Sequence, residues 1–365
     1  MERLDVDVAI IGAGIAGAGL AAAIGRDARI ALIEGEAAPG RHATGRSAAF
    51  WVESYGGAAV QPLTSASYAG LAAAGVLRRR GALHVADAAG GPALDALAAT
   101  FGGTAVVLER LGREALAARV PALSPAIAAA LWEPSCCDID VAALHQAYLG
   151  EARRCGAVLA TGAEVRAIAR SGAGWTVTAG ERQISAALLV NAAGAWAGEV
   201  ARLAGASPIA ITPYRRTIVQ LMVEPAPDPD MPLVIDALGR FYWKPEPGGR
   251  LWLSPHDEAE VAAHDVQPEE LDIAVAIDRL ERATRWRVLR RERAWAGLRS
   301  FAPDRAPVYG FDTAAPGFFW CAGQGGFGIQ TAPAGSLLAA GLLLGRAPAG
   351  AVADIDPRPF APDRF

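Results

Sequence analysis

Gly12, Gly14 and Gly17, in the run Gly12-Ala13-Gly14-Ile15-Ala16-Gly17, are the first residues whose type and spacing point to chemistry. A G-x-G-x-x-G turn docks a pyrophosphate. Its first glycine makes the tight turn, its second lets backbone approach the phosphates, and its third lets a helix pack on a strand. The anion then faces the free N–H groups and positive dipole end of a helix, here opened by Ile15 and Ala16. Glu34 follows Gly12 by 22 residues. A carboxylate at that spacing accepts hydrogen bonds from adenosine ribose hydroxyls and repels a 2′-phosphate. In a chain with 41 glycines the hexapeptide is weak evidence alone, so its force depends on the elements around it.

Those elements are legible. Residues 6–11 form a continuous apolar run broken only by Asp7, as expected of a strand buried on both faces. Residues 15–24 are Ala-rich and helix-prone, and 29–33 (RIALI) are strand-like. Strand, glycine turn, helix and strand make a βαβ unit of about 30 residues. Further along, DVAALHQAYLGEARR (140–154) predicts a helix with Asp140 as its N-cap. RTIVQLMVE, RFYWKP and RLWLSP predict antiparallel strands within 212–255, with Tyr242 and Lys244 on one face and Phe241 and Trp243 on the other. Residues 271–284 read as an amphipathic helix. FFWCA reads as a strand running into a glycine loop at 323–328, with a helix over 333–344. Three features favour a flavin over a nicotinamide dinucleotide: the N-terminal position of the unit, the polar Gly/Ser/Arg loop after its second strand, and the second glycine loop, which could close over the far end of a long cofactor.

Composition excludes several classes. With 52% hydrophobic and 20% charged residues the chain has a core to bury and is not disordered. A net charge of −4 draws it to neither nucleic acid nor anionic lipid. The seven arginines between 279 and 293 are offset by Glu281 and Glu292 and read as a solvated helix face. The apolar stretch 8–25 lacks a positive flank and is diluted by five glycines, so it is neither a signal peptide nor a membrane span, and a cytoplasmic location is the expectation. Four cysteines and five histidines show no disulfide framework and no zinc spacing.

VDVAIIGAGIAGA, PGRHATGRSAAF, LLVNAAGAWAGEVARLAG, PYRRT, FYWKP, WAGLRSFAPD and GFFWCAGQGGFGIQTAPA together resemble the D-amino-acid oxidase-like superfamily of flavoproteins, with the bacterial D-arginine dehydrogenases as the nearest likeness. The resemblance runs from residue 6 to about 335. It implies an α/β fold: a Rossmann-type FAD domain assembled from discontinuous segments (1–80, 140–212 and 296–365), with an inserted α+β substrate domain (81–139 and 213–295) built on a mixed, largely antiparallel sheet. It implies non-covalent FAD. Thr44, Gly45, Arg46, Ser47, Ala48 and Ala49 would wrap the flavin phosphates and ring, Arg46 and Ser47 being suitable partners for phosphate and ring heteroatoms. Val165 would touch adenine through its backbone, and Ala193, Gly194 and Trp196 would make a second contact. The loop Gly325, Gly326, Phe327, Gly328, Ile329 and Gln330 would aim backbone N–H groups at the flavin pyrimidine.

For the substrate, the resemblance implies that Arg216 and Arg299 clamp a carboxylate, a task suited to the planar guanidinium fork. Tyr55 and Tyr242 would reach the same substrate, and the Gly326 carbonyl would accept from its amine. The implied reaction is hydride transfer from Cα to flavin N5, giving an imino acid that hydrolyses to a 2-oxo acid and ammonia. Electrons would then pass to a quinone, a dye-like acceptor or O2. Two positions depart from the arginine enzymes: Phe50 replaces a histidine, and Leu83, beside His84, replaces the glutamate that reads a cationic side chain. An apolar, aromatic or secondary D-amino acid is therefore expected. The alternatives are a 2-hydroxy acid or N-methyl amine oxidoreductase, and a non-catalytic FAD-binding protein. A hydroxy acid needs a base, and no well-placed histidine is evident. His42 lies where some relatives attach flavin covalently, but free FAD is expected.

Overall fold

The structure is a computed structural model that describes residues 2–365. Two large sheets organise it, and the first follows from the N-terminal βαβ unit. The strand Glu2–Ile11 lies between Ile30–Ile33 and Arg182–Asn191 and runs parallel to both. Val158–Ala160 extends the sheet on one side and Phe318–Ala322 on the other, again in parallel. Side chains alternate across the first strand. Val8 and Ile10 enter one core with the helices Ile15–Ile24 and Ala332–Leu343, while Ala9 and Ile11 enter a second core on the opposite face. Burial on both faces explains why the strand reads as a near-continuous apolar run. The strands Val165–Ser171 and Gly174–Ala179 add an antiparallel ribbon to this sheet.

The second sheet has nine strands. Tyr242–Glu246 pairs antiparallel with Leu233–Asp236 and with Arg250–Ser254, and Ala82–Ala86 runs parallel to Leu233–Asp236. The long strands Thr212–Glu224 and Arg287–Phe301 pair along their whole length. One face buries Leu83, Val234, Trp243 and Leu253 beneath the helix Glu270–Ala283. The other face turns Ala82, Leu233 and Tyr242 toward Ala48 and Val52. The mixed α/β architecture, with a largely antiparallel second sheet, is as expected.

Asp140 caps the helix Val141–Arg154 by accepting from the Ala143 N–H at 2.9 Å. The arginine run is a correction. It does not share one helix face, because the helix ends at Ala283 and a strand begins at Arg287, so Arg287, Arg290, Arg291 and Arg293 belong to that strand. A run of charges carries no period that could have told the two apart. Among the described residues no helix is long and apolar enough to cross a membrane.

Candidate active site

The glycine turn works by close approach. A Cβ on Gly12, whose φ is +101°, would lie 2.3 Å from the Ala192 carbonyl oxygen, and one on Gly17 would lie 1.9 Å from the Gly12 carbonyl oxygen. Strand, helix and the 191–194 segment can therefore meet only through bare backbone. The helix Ile15–Ile24 has neither a side-chain cap from Gly14 nor an acid in its first turn, so no side chain of its own offsets its positive end. The Thr44 hydroxyl accepts from the Ile15 N–H at 3.0 Å. Glu34 accepts from the Ala13 N–H at 3.1 Å and from the Glu36 N–H at 3.0 Å, which fixes its carboxylate in the cavity wall beside the glycine turn.

From this turn a cavity of about 580 Å³ runs to Arg216, Tyr242 and Arg299. That lies within the ~300–1,000 Å³ of small-molecule sites. Its walls include Gly12, Gly14, Ile15, Ala16, Thr44, Ser47 and Ala48 on one side. Val165, Ala193, Gly194, Trp196, Gly325, Gly326, Gly328 and Ile329 stand on the others. Residues separated by more than 300 positions thus line one elongated space.

Several expected residues sit elsewhere or do something else. Gly17 packs the helix and does not line the cavity, and Gly45 nests against Gly40, donating to its carbonyl at 2.8 Å. Arg46 borders the cavity, but its guanidinium donates to the carbonyls of Val266 (2.9 Å) and Ala296 (3.0 Å) and pairs with Asp265. It therefore ties this loop to the second sheet and has no fork free for a phosphate. The Ser47 hydroxyl accepts from the Ala49 N–H at 3.1 Å, holding Ala49 at a φ of +34°. In the late glycine loop the Phe327 N–H is taken by the Gln324 carbonyl, and the Phe327 ring packs on Phe301 and Tyr55. The Gln330 amide ties the Tyr55 carbonyl (3.0 Å) to the Thr64 hydroxyl (2.9 Å).

His42 donates from Nε2 to the Glu36 carboxylate at 2.8 Å, with its ring against Trp196. His145, which sequence reasoning missed, donates from Nε2 to the Ala13 carbonyl at 2.8 Å, and burial lowers its pKa. A single buried histidine on an apolar helix face was the available signal.

At the other end of the cavity the two arginines meet. Arg216 is 4% exposed; its Nε donates to the Asp257 carbonyl (2.7 Å) and its Nη2 pairs with Glu258 (2.8 Å). Its Nη1 is buried and has no partner. Burial, and after it the charge of Arg299, lower the Arg216 pKa. Arg299 donates from Nη1 to the Tyr55 hydroxyl at 2.6 Å. Burial works against the Arg299 charge, but Tyr55 and Tyr242 outweigh it and the pKa is raised. Burial alone would raise the Tyr55 phenol, yet Arg299 and Arg216 hold it below its usual value. For Tyr242 burial wins and its phenol is raised. Its hydroxyl is buried without a hydrogen-bond partner, although the Ser254 hydroxyl lies near enough to offset part of the upward shift. The adjacent Arg215 points elsewhere and is paired with Glu269 and Asp272.

A Cβ at Gly326 would stand 2.9 Å from Arg299 Nη1. Gly326→Ala is expected to displace the guanidinium and raise KM, with kcat/KM falling ~10²-fold, the cost of a misplacement of about 1 Å. Steady-state kinetics beside an unchanged flavin spectrum checks it.

A small side lobe is lined by Phe50, Val52, Leu233, Ile235, Tyr55 and His256. Leu83 and His84 are not among its walls, which corrects their assignment. Leu83 points into the core beneath the helix Glu270–Ala283. His84 is on the correct face but one strand away, beside Ile235, bonded to Glu133 at 3.0 Å and Ser54 at 3.2 Å. Successive residues of a strand face opposite ways, so a one-residue error in placement reverses the answer. Phe50 does line the lobe, edge-on to Tyr242, with Lys244 5.3 Å from its ring centre. His256 is a residue that sequence reasoning missed, and it contradicts the expectation of no well-placed histidine.

The family model for FAD dependent oxidoreductases (DAO) matches residues 7–341. A hydrogen cyanide synthase subunit, HcnC, of Pseudomonas aeruginosa is 29% identical over 266 residues, which are 70% of this chain and 59% of HcnC. The chain spans 16% to 59% of the length of four curated relatives that it matches. Glycine oxidase from Geobacillus kaustophilus superposes with a TM-score of 0.85 at 22% identity, covering all of both chains. L-Proline dehydrogenase from P. horikoshii gives 0.82 at 20% identity over 96% of each. These two likenesses establish the fold. The glycine cradle, the fixed Glu34 carboxylate and the length of the cavity suit a flavin dinucleotide. With the family match spanning almost the whole chain, it follows that this protein belongs to the DAO family of FAD-dependent oxidoreductases and takes FAD as its cofactor.

Proposed function

We propose that the protein oxidises an α-amino acid with a small, uncharged side chain, D in configuration or secondary at nitrogen, to the imino acid. The observation that carries this reading is the unpartnered, buried Nη1 of Arg216 sharing a cavity with Arg299. A buried guanidinium donor without an acceptor is costly, and a substrate carboxylate supplies the missing partner. Bound FAD supplies the acceptor for two electrons and a hydrogen. The chain's own residues do the rest. Arg216 and Arg299 orient the carboxylate, the free Tyr242 hydroxyl donates to it, and the Gly326 carbonyl accepts from the amine. Phe50, Val52, Leu233 and Ile235 exclude water around the side chain.

Size and charge narrow the substrate. The side lobe holds about 40 Å³. At roughly 10–15 Å³ per water-sized sphere that is room for about three heavy atoms. It favours the smaller of the expected side chains over aromatic ones. No Asp or Glu lines the lobe, so an arginine-like cation would lose its solvation there without a counter-charge. The names of glycine oxidase and L-proline dehydrogenase agree with a small or secondary amine. Ile235→Ala or Leu233→Ala is expected to shift the ranking toward larger side chains. Leu83→Ala, in the far core, should lower stability by about 2–5 kcal/mol with the ranking unchanged. A substrate panel and a thermal melt separate the two results.

His256 favours a second reading, a 2-hydroxy acid, because it offers the base that such a substrate requires. Anaerobic mixing with single D- and L-amino acids, N-methyl amino acids and 2-hydroxy acids tests both. Bleaching of the flavin by a small amino acid supports the first reading, and bleaching by hydroxy acids alone overturns it.

A further inference from the structure

We infer that His256, acting through the Tyr55 hydroxyl, takes up the proton that an amine substrate loses before it is oxidised; this rests on the amino-acid reading above. Of the five histidines, His256 is the one that lines the substrate lobe. Its Nε2 lies 3.5 Å from the Tyr55 hydroxyl, the long limit of a hydrogen bond. Such contacts are often long before substrate binds. The Tyr55 oxygen already accepts from Arg299 at 2.6 Å, so its own proton is directed elsewhere, and His256 Nε2 is the acceptor within reach. The ring is held from several sides. Tyr55 stacks on it at 6.5 Å, and Tyr242 meets it edge-on at 5.5 Å. Nδ1 faces Gly239, where a Cβ would come within 3.4 Å.

The backbone is also committed to this placement. His256 adopts a φ of +58°, uncommon for a residue with a side chain, and its N–H is taken by the Ser254 hydroxyl at 3.1 Å. Strain of this kind persists where the surroundings enforce it, and it clusters at functional sites.

The charged groups around the ring favour a proton acceptor over a fixed ion pair. Arg299 and Arg216 lie beyond Tyr55, and Arg279 donates to the neighbouring Pro255 carbonyl at 2.7 Å. The nearby carboxylates are engaged: Asp257 by Thr217 and Arg215, Glu258 by Arg216 and Arg305, and Asp236 by Arg240. The two guanidinium groups that hold the Tyr55 phenol below its usual pKa also favour loss of a proton from a neighbouring ammonium. The step conserves atoms and charge. One N–H bond of the ammonium breaks and its electron pair stays on nitrogen. The proton passes to Tyr55 Oη while the Tyr55 hydroxyl proton moves to His256 Nε2. No electron is transferred until the neutral amine is oxidised by the bound FAD.

The test is the pH dependence of kcat/KM, measured on the FAD-loaded enzyme with a small amino acid that bleaches the wild-type flavin. The wild type should lose activity on the acid side as the imidazole becomes protonated and can no longer accept the proton. In His256→Asn and Tyr55→Phe that limb should move up to the ionisation of the substrate amine itself. Activity near neutrality should fall ~10²-fold and recover as pH rises. Added imidazole should restore part of the loss in His256→Ala. An acid limb at the same pH in the wild type and in both variants, with normal flavin spectra, overturns the role of His256. If no amine bleaches the wild-type flavin, the amino-acid reading has failed and the proton relay fails with it.

Discussion

Arg299→Met is expected to lower kcat/KM by roughly 10²–10⁴-fold while the protein still folds and binds FAD. Methionine has a similar reach and no charge, so the change removes donors from the substrate end of the cavity and leaves the glycine turn intact. Two hydrogen bonds to a carboxylate, each worth about 1.5–3 kcal/mol, amount to ~3–6 kcal/mol. At 1.36 kcal/mol per tenfold this accounts for the range given. The loss should fall mainly on KM, because the carboxylate is equally anionic before and during the reaction. A second signature follows from the Arg299–Tyr55 contact of 2.6 Å. With the stronger of the two opposing charges gone, burial dominates and the Tyr55 phenol rises above its usual value. A difference titration of tyrosine absorbance between wild type and variant reads that shift. A near-normal KM for Arg299→Met would falsify the carboxylate clamp.

Gly12→Ala and Gly14→Ala should fail in different ways. At Gly12 the added methyl meets the Ala192 carbonyl oxygen at 2.3 Å, and the φ of +101° is unfavourable for any residue with a Cβ. Backbone must move, so both the melting temperature and the flavin content should drop. At Gly14 the φ is −69°, and the methyl would meet only the Thr44 hydroxyl, at 3.2 Å. The fold should therefore survive, but the methyl stands where a pyrophosphate approaches the helix N-terminus. FAD should bind more weakly to a protein that melts almost as the wild-type apoprotein does. Absorbance at the flavin band per mole of protein, together with apoprotein melts, separates the two. A Gly12→Ala protein that keeps its full flavin content would show that the turn is not the docking element.

Much of the first sheet and its site was readable from local pattern. The strand Glu2–Ile11, the turn and the helix Ile15–Ile24 are contiguous, and Gly17 is required by its close approach to the Gly12 carbonyl within the same unit. Glu34 was readable for the same reason, as was the helix capped by Asp140. The face shared by Tyr242 and Lys244 follows from the two-residue period of a strand. Family likeness added Arg216 and Arg299, which no local pattern separates from the neighbouring Arg215. The structure then shows Arg215 held by Glu269 and Asp272 away from the cavity and Arg216 among the cavity walls.

What the sequence by itself determined was the N-terminal strand, helix and nucleotide turn, the helix capped by Asp140 and the alternating faces of the strand bearing Tyr242, because these depend on short-range spacing and backbone stereochemistry. Which side chains share the substrate lobe was decided only by tertiary structure. Arg46 is drawn off by carbonyls 220 and 250 residues away, Leu83 faces the far core, and Leu233 and Ile235 take the place assigned to it. His256 reaches Tyr55 across 201 residues by way of a left-handed backbone turn. Such meetings depend on how two sheets pack and on strand register, and a one-residue step in register exchanges one face of a sheet for the other.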